Sequence, residues 1–228
     1  MMYPIEVKDL YYQYAGKEEN ILRGINLQIK KGEVVGIVGL SGNGKSTLCY
    51  CMCGIIPHVF KGKLKGEVLL FGKPVKDMDL ASVATKVGIV FQDPDTQLFS
   101  PTIEDEVAFG PENLCLNREE IGERISEAID VVGMEKYRYS NPHCLSGGQK
   151  QLIALASILS LKPEMLIFDE VMAQIDTEGR KLIKEKIVAL KNAGKTILMI
   201  EHDFSNLDIA DRTLVLKSGK LEVFKGKL

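Results

Sequence analysis

The chain has 228 residues, 45% of them hydrophobic and 26% charged, which suffices to bury a sizeable core in one unit with room for a subdomain. Its 29 basic and 31 acidic side chains leave a net charge of −2, no electrostatic footprint for RNA or DNA, and no apolar run approaches the ~18 residues that span a bilayer. Met1 to Asp9 lacks the basic-then-apolar order of a signal peptide, so the chain is expected on the cytoplasmic side, and its five cysteines contain no Cys-x-x-Cys pair.

Ile5, Val7 and Leu10 alternate into Tyr11, Tyr12 and Tyr14, Ala15-Gly16-Lys17 reads as a turn, and Ile25, Leu27 and Ile29 alternate again. This pattern predicts a small β layer beside a parallel core. Tyr14 either packs in that layer or stacks on a nucleotide base; its position alone fits both.

Val34 to Val38 is a short apolar run that feeds Gly39-Leu40-Ser41-Gly42-Asn43-Gly44-Lys45-Ser46-Thr47. Gly-x-x-x-x-Gly-Lys-Ser lets a loop of little bulk fold so that successive backbone N–H groups face an anion. Lys45 is then placed for β- and γ-phosphates, the following helix adds partial positive charge, and the Ser46 hydroxyl is placed to hold Mg²⁺. Cys49, Cys51 and Cys53 fall on that helix. Alternate helical positions diverge around the axis and no histidine lies close in sequence, so these read as small buried hydrophobes rather than metal ligands.

Ile55-Ile56-Pro57-His58 ends the helical pattern, Leu64 to Leu70 resumes strand character, and Val87 to Phe91 is a further apolar strand that runs into Gln92. Asp93-Pro94-Asp95-Thr96-Gln97 is a polar loop. From Thr102 to about Val132 the spacing of Ile121, Ile125, Ile129 and Val132 predicts a helical insertion. Ser146 in Leu145-Ser146-Gly147-Gly148-Gln149 has Gln149 three residues on, a capping box that starts a helix. Its first turn presents N–H groups beside two glycines, which suits either an ordinary capped helix or an approaching phosphate.

Met165 to Phe168 reads as a buried parallel strand that delivers Asp169 and Glu170 at its C-terminal end. With Mg-ATP, Asp169 would fix the metal and Glu170 would polarise the attacking water. Asp176 starts a helix expected to bury Leu182, Ile183, Ile187 and Leu190 and to leave its Arg, Lys and Glu side chains in water. Thr196 to Ile200 is another buried strand, ending in Glu201-His202-Asp203 at the edge where open α/β sheets place ligands. His58 and His143 read as surface or packing residues. Leu214 to Leu216 and Leu221 to Phe224 close the chain as a hairpin about Ser218-Gly219-Lys220.

Taken together and in this order, the phosphate loop, Gln92, Leu-Ser-Gly-Gly-Gln, the strand ending Asp169-Glu170, and His202 closely resemble an ABC-type ATPase domain over essentially the whole chain. The resemblance implies a P-loop NTPase (RecA-like) α/β core with an N-terminal antiparallel β subdomain, 1–91 and 161–228, and an inserted α-helical subdomain, 92–160, carrying Leu-Ser-Gly-Gly-Gln. It makes Gln92 the residue that senses Mg²⁺ and water, His202 the γ-phosphate switch, and Tyr14 the adenine stacker. It also implies ATP as ligand and head-to-tail pairs of chains, in which Ser146, Gly147, Gly148 and Gln149 of one, with Asp176, complete the site of the other. Phe91 to Phe99, Glu106 to Asn113 and Gly54 to His58 look more narrowly like the ATPases of energy-coupling-factor importers, which take up vitamins and cobalt or nickel ions. That resemblance implies a transmembrane coupling subunit docked near Gln92, a substrate-binding membrane subunit behind it, and a peripheral place on the cytoplasmic face of the membrane.

Two departures stand out. Val171-Met172-Ala173-Gln174-Ile175-Asp176 replaces the Pro-Thr and Ser-Ala-Leu-Asp usual after the catalytic Glu, and the chain stops at Leu228 where many coupling-factor ATPases carry a further dimerisation segment. Weak dimerisation without ATP is the expectation that follows. A soluble ABC ATPase that uses dimer closure mechanically would need a long coiled coil or two ATPase domains in one chain, and a P-loop kinase would leave Leu-Ser-Gly-Gly-Gln and His202 unexplained.

Overall fold

The computed structural model describes residues 2–173, 175–224 and 226. In chain order the elements are β1 (Ile5–Tyr14), β2 (Leu22–Ile29), β3 (Val34–Val38), α1 (Lys45–Met52), the four-residue α2 (Ile55–His58), β4 (Gly62–Leu70) and β5 (Lys73–Pro74). α3 (Leu80–Ala84), β6 (Val87–Val90), α4 (Ile103–Asn113), α5 (Arg118–Val132), α6 (Gly147–Leu159), β7 (Met165–Asp169), α7 (Thr177–Asn192), β8 (Thr196–Glu201), β9 (Arg212–Lys217) and β10 (Lys220–Val223) follow.

The alternating N-terminal segments pair antiparallel in a sheet of order β2-β1-β4-β5, with Ile5, Leu10, Tyr12, Leu22 and Ile25 fully buried. Continuous apolar runs make the second sheet, order β10-β9-β3-β8-β7-β6, parallel throughout except for the β10 edge. A run apolar on both faces needs cover on both. One core supplies it between the sheets, where Val35, Ile37, Ile167 and Leu198 meet the β layer and α1. The other lies beneath α4 to α7, where Val34, Phe168, Ile197 and Met199 point.

Four strands, β3, β6, β7 and β8, therefore end on the same edge, each delivering a polar stretch there. The helical insertion differs from its sequence reading: Thr102 to Val132 is two helices, because Thr102 caps α4 and Asn117 caps α5, with Cys115 at φ 54 between them. An unbroken apolar period hides such a break, since both helices present their stripe to the same core. On α7, Leu182 is 40% exposed rather than buried, and Lys184 is not simply solvated but pairs with Asp208 at 2.5 Å. Cys49, Cys51 and Cys53 are buried, with burial pushing their thiols up, whereas Cys115 and Cys144 are exposed. The unusual residue Gln174 lies outside the described residues.

Candidate nucleotide site

β3 ends at Val38, and the chain must reverse into α1 within the next six residues. Asn43 N–H donates to the Leu40 carbonyl at 3.3 Å to make the turn, and Gly42 and Gly44 take φ of 80° and 95°, which a side chain would resist. Gly39 is fixed by space: a Cβ there would stand 2.4 Å from the Leu216 carbonyl oxygen. α1 then begins on Gly44 with no side-chain cap and no acidic residue in its first turn. Its first N–H groups and the positive end of its dipole are left to whatever anion enters.

Lys45 is 4% exposed, and its Nζ donates to the carbonyls of Gly39 and Leu40 at 2.7 and 3.1 Å and lies 3.2 Å from Glu170 Oε1. The second Glu170 oxygen is 2.8 Å from His202 Nε2, which also approaches Ser41 Oγ at 3.3 Å. Glu170 reaches both because its backbone turns left-handed directly after β7, φ 56°, its N–H donating to the Ile200 carbonyl. A non-glycine residue held there costs about 1–3 kcal/mol, a strain that marks functional turns. Asp169, one residue earlier, keeps the strand direction. Burial raises its carboxyl against the pull of the Ser46 hydroxyl, and its Oδ1 is buried without a partner among the described residues. A hydroxyl beside a carboxylate oxygen in need of a partner is an oxygen donor set that suits a small hard cation.

A cavity of about 270 Å³ gathers Ser41, Gly42, Gly44, Lys45, Ser46 and Thr47 of the loop with Tyr14, Gln92 and Glu170, and Asp169 and His202 stand outside its lining. Tyr14 sits at its mouth, its hydroxyl sharing a hydrogen bond with Thr47 Oγ1 at 3.0 Å and its ring edge-on to Tyr12. Asn43 faces a wider neighbouring hollow that Tyr14 and Gly42 also line. Gln92 is held by its backbone: Gln151 on α6 donates to the Phe91 and Gln92 carbonyls at 3.1 and 2.8 Å.

Leu-Ser-Gly-Gly-Gln lies elsewhere. The capping box at Ser146 is complete, with Gln149 Oε1 accepting from Ser146 N at 3.0 Å and Ser146 Oγ accepting from Gln149 N at 3.4 Å. Ser146 and Gly147 are exposed, and Gly148 is pressed on Gly179 of α7. None of the four residues from Ser146 to Gln149 lines the cavity, nor does Asp176, whose carboxylate caps α7 by accepting from Gly179 N at 2.7 Å.

A family model described as ABC transporter matches residues 22–173. The chain belongs to the ABC transporter family. The energy-coupling factor transporter ATP-binding protein EcfA of Methanocaldococcus jannaschii is 43% identical over 223 residues, 96% of this chain and 78% of that protein. Two longer relatives from Methanosarcina acetivorans and Methanosarcina mazei are 45% and 44% identical, and the chain spans only 34% and 38% of their lengths. Among solved structures, cbiO1 of Clostridium perfringens, part of the ABC transporter complex cbiONQ, superposes with a TM-score of 0.87 at 36% identity, covering 98% of this chain and 88% of that one. The ABC cassette MJ0796, a dimer in a post-hydrolysis state with ADP and Pi, superposes at 0.81 and 27% identity, covering 98% of this chain and all of that one. The fold is thus that of an ABC ATPase. No helix among the described residues is long and apolar enough to cross a membrane.

The ABC motifs named from sequence fall into two groups: the loop, Gln92, Glu170 and His202 converge, while the signature at Ser146 stands apart. Sequence reasoning missed Gln151 and Glu201. Gln151 carries no local signal, since a polar residue on a helix ordinarily faces water. Glu201 does carry one: it is an acid closing an otherwise apolar strand, and it is only 2% exposed.

Proposed function

We propose that the chain is the ATP-hydrolysing subunit of a membrane importer of the energy-coupling-factor type, working in a head-to-tail dimer to drive uptake of a micronutrient, a vitamin or a cobalt or nickel ion. The observation that carries this reading is the meeting of Lys45 and Glu170 at the cavity of the loop, with His202 2.8 Å from Glu170. Lys45 and the loop N–H groups hold the phosphates, and Tyr14 stacks on adenine. Ser46, Asp169 and Gln92 would hold Mg²⁺, which would supply charge neutralisation for the phosphoryl group being transferred. Glu170 takes a proton from the attacking water and His202 contacts the γ-phosphate.

Each site is half-built within one chain. Ser146, Gly147 and Gly148 of a second chain, the same or a related ATPase, cover the nucleotide, with Gln149 and Asp176 shaping that contact. The relatives EcfA and cbiO1, named for transport complexes, support a transmembrane partner on the cytoplasmic face and a substrate-binding membrane subunit beyond it. The face near Gln92 suits such a partner: Phe99 and Phe109 are 62% and 48% exposed and stack edge-on at 4.8 Å.

Glu170→Gln tests the chemistry. It should keep ATP binding and dimer closure while cutting turnover by roughly 10²–10⁴-fold, since the amide keeps the shape of the side chain but cannot take the proton; near-normal hydrolysis contradicts the assignment. Co-purification of a transmembrane subunit with the full chain tests the importer reading separately.

A further inference from the structure

The buried acid that precedes His202 has no part in the chemistry above. Glu201 ends β8 beside Val38 of β3, and Glu170 N–H binds the carbonyl of the residue just before it. Its Oε2 accepts from Asn206 Nδ2 at 3.0 Å, and its Oε1 is buried with no partner among the described residues.

Asn206 lies in the turn Phe204–Leu207, which Asp203 caps by accepting from Ser205 N at 2.9 Å. Leu207, fully buried, fills the space over Gly36 of β3, where even a Cβ would stand 2.9 Å from its methyl carbon. The turn is therefore fixed by Leu207 at its far end and by the Glu201–Asn206 bond across its start. His202 sits inside the ring that this bond closes. Its own contacts to Glu170 and Ser41 are made from an exposed position, where a free loop would leave the imidazole many rotamers.

We propose that Glu201 is a positioning residue, which through Asn206 ties the turn that follows His202 back to the end of β8 and so aims the imidazole at Glu170. The inference rests on the role given to His202 above. The groups facing Glu201 are Asn206 of the turn, Glu170 after β7, Arg180 of α7 and Asp203, next to His202 itself. Burial pushes the Glu201 carboxyl up to about 7. The Asn206 bond and Arg180 pull it down, whereas the charges of Glu170 and Asp203 push it up. The neutral acid can thus serve, and Glu201→Gln imitates it: the amide oxygen accepts from Asn206 and the NH₂ stands in place of the unpartnered oxygen.

The test is steady-state Mg-ATP turnover by the full chain, at a concentration where activity per chain has stopped rising. Asn206→Ala and Glu201→Ala should each lower kcat by about tenfold or more with KM for ATP within about twofold, and the double variant should be no worse than Glu201→Ala alone. Glu201→Gln should turn over at close to the wild-type rate. Wild-type kcat in Asn206→Ala, a change confined to KM, or a Glu201→Gln as impaired as the alanine variant overturns the proposal. Should Glu201→Ala fail to fold, Asn206→Ala and Glu201→Gln still decide it. His202→Ala separates the two layers: if its turnover is intact, the reading of His202 fails, whereas an impaired His202→Ala beside an intact Asn206→Ala removes only the positioning role.

Discussion

Two helices of this protein begin beside glycines, α1 after the phosphate loop and α6 at Leu-Ser-Gly-Gly-Gln, and their first turns are finished in opposite ways. α1 starts on Gly44 with no side-chain cap, and around it Lys45, Asp169 and Glu170 are at most 7% exposed, with Asp169 Oδ1 lacking a partner among the described residues. α6 closes its own N-terminus with the Ser146–Gln149 box and offers outward little more than the backbone of Gly147. An unpaired buried carboxylate oxygen is costly, a cost that on our reading the cation bound with the nucleotide offsets. A self-capped surface turn costs nothing to keep and suits a contact made only when another chain arrives. On our reading the first region binds nucleotide within one chain and the second acts in trans.

The largest expected consequence is at the loop. On the proposed role of Lys45, Lys45→Ala removes charge-assisted bonds to the β- and γ-phosphates at about 1.5–3 kcal/mol each, so ATP affinity of a single chain should fall by on the order of 10²-fold or more. Gly147→Ala at the signature should leave that affinity unchanged. Calorimetric titration with nucleotide at concentrations that keep chains apart checks both, and comparable losses would erase the distinction.

Next is the response to pH, which buried and exposed polar groups should not share. Glu201 moves from an ordinary 4.5 to about 7 in the folded protein, so between those values the folded state holds more protons than the unfolded one. The contribution of Glu201 to stability therefore falls as pH rises from about 4.5 through 7, by about 3 kcal/mol, and changes no further above. Burial raises Asp169 in the same sense. Urea unfolding at pH 5 and pH 8 should show a smaller loss in Glu201→Gln than in the wild type; equal losses would mean that Glu201 is not held neutral.

A third effect concerns how the signature is seated. A Cβ on Gly148 would stand 2.8 Å from Gly179 Cα, a backbone atom that cannot rotate aside, so the start of α6 must move off α7. Gly148→Ala should lower turnover by about tenfold while single-chain ATP affinity is kept. Reduced affinity in dilute protein would place Gly148 in the wrong half of the comparison.

How much of this could be read from sequence follows the same division. The loop, the strand ends and the capping box were legible because each depends on residues close in the chain: Gly44 before Lys45, the apolar run before Asp169, Ser146 three residues before Gln149. The break at Cys115 was not, since α4 and α5 bury their stripes in one core and keep one apparent period. The links made across the fold were also invisible. Gln151 on the Gln92 carbonyl and Tyr14 on Thr47 each join elements far apart in the chain, whose approach only the folded arrangement determines.

The smallest predicted effect sharpens the comparison at its most local point. The Gln149 side chain is already employed, Oε1 accepting from Ser146 N and Nε2 donating to Tyr137 Oη at 3.3 Å. If capping is its work, Gln149→Ala should cost about 1 kcal/mol and lower Tm by about 2–4 °C, as loss of half a box in a domain of this size does. KM for ATP should then hold within about twofold, because the N–H groups of Gly147 and Gly148 need no side chain to meet a phosphate. A rise in KM larger than the Tm loss accounts for would instead mean that the amide reaches across to the second chain's nucleotide. α6 would then not be self-contained, and its N-terminus would resemble that of α1 more than its capping box suggests.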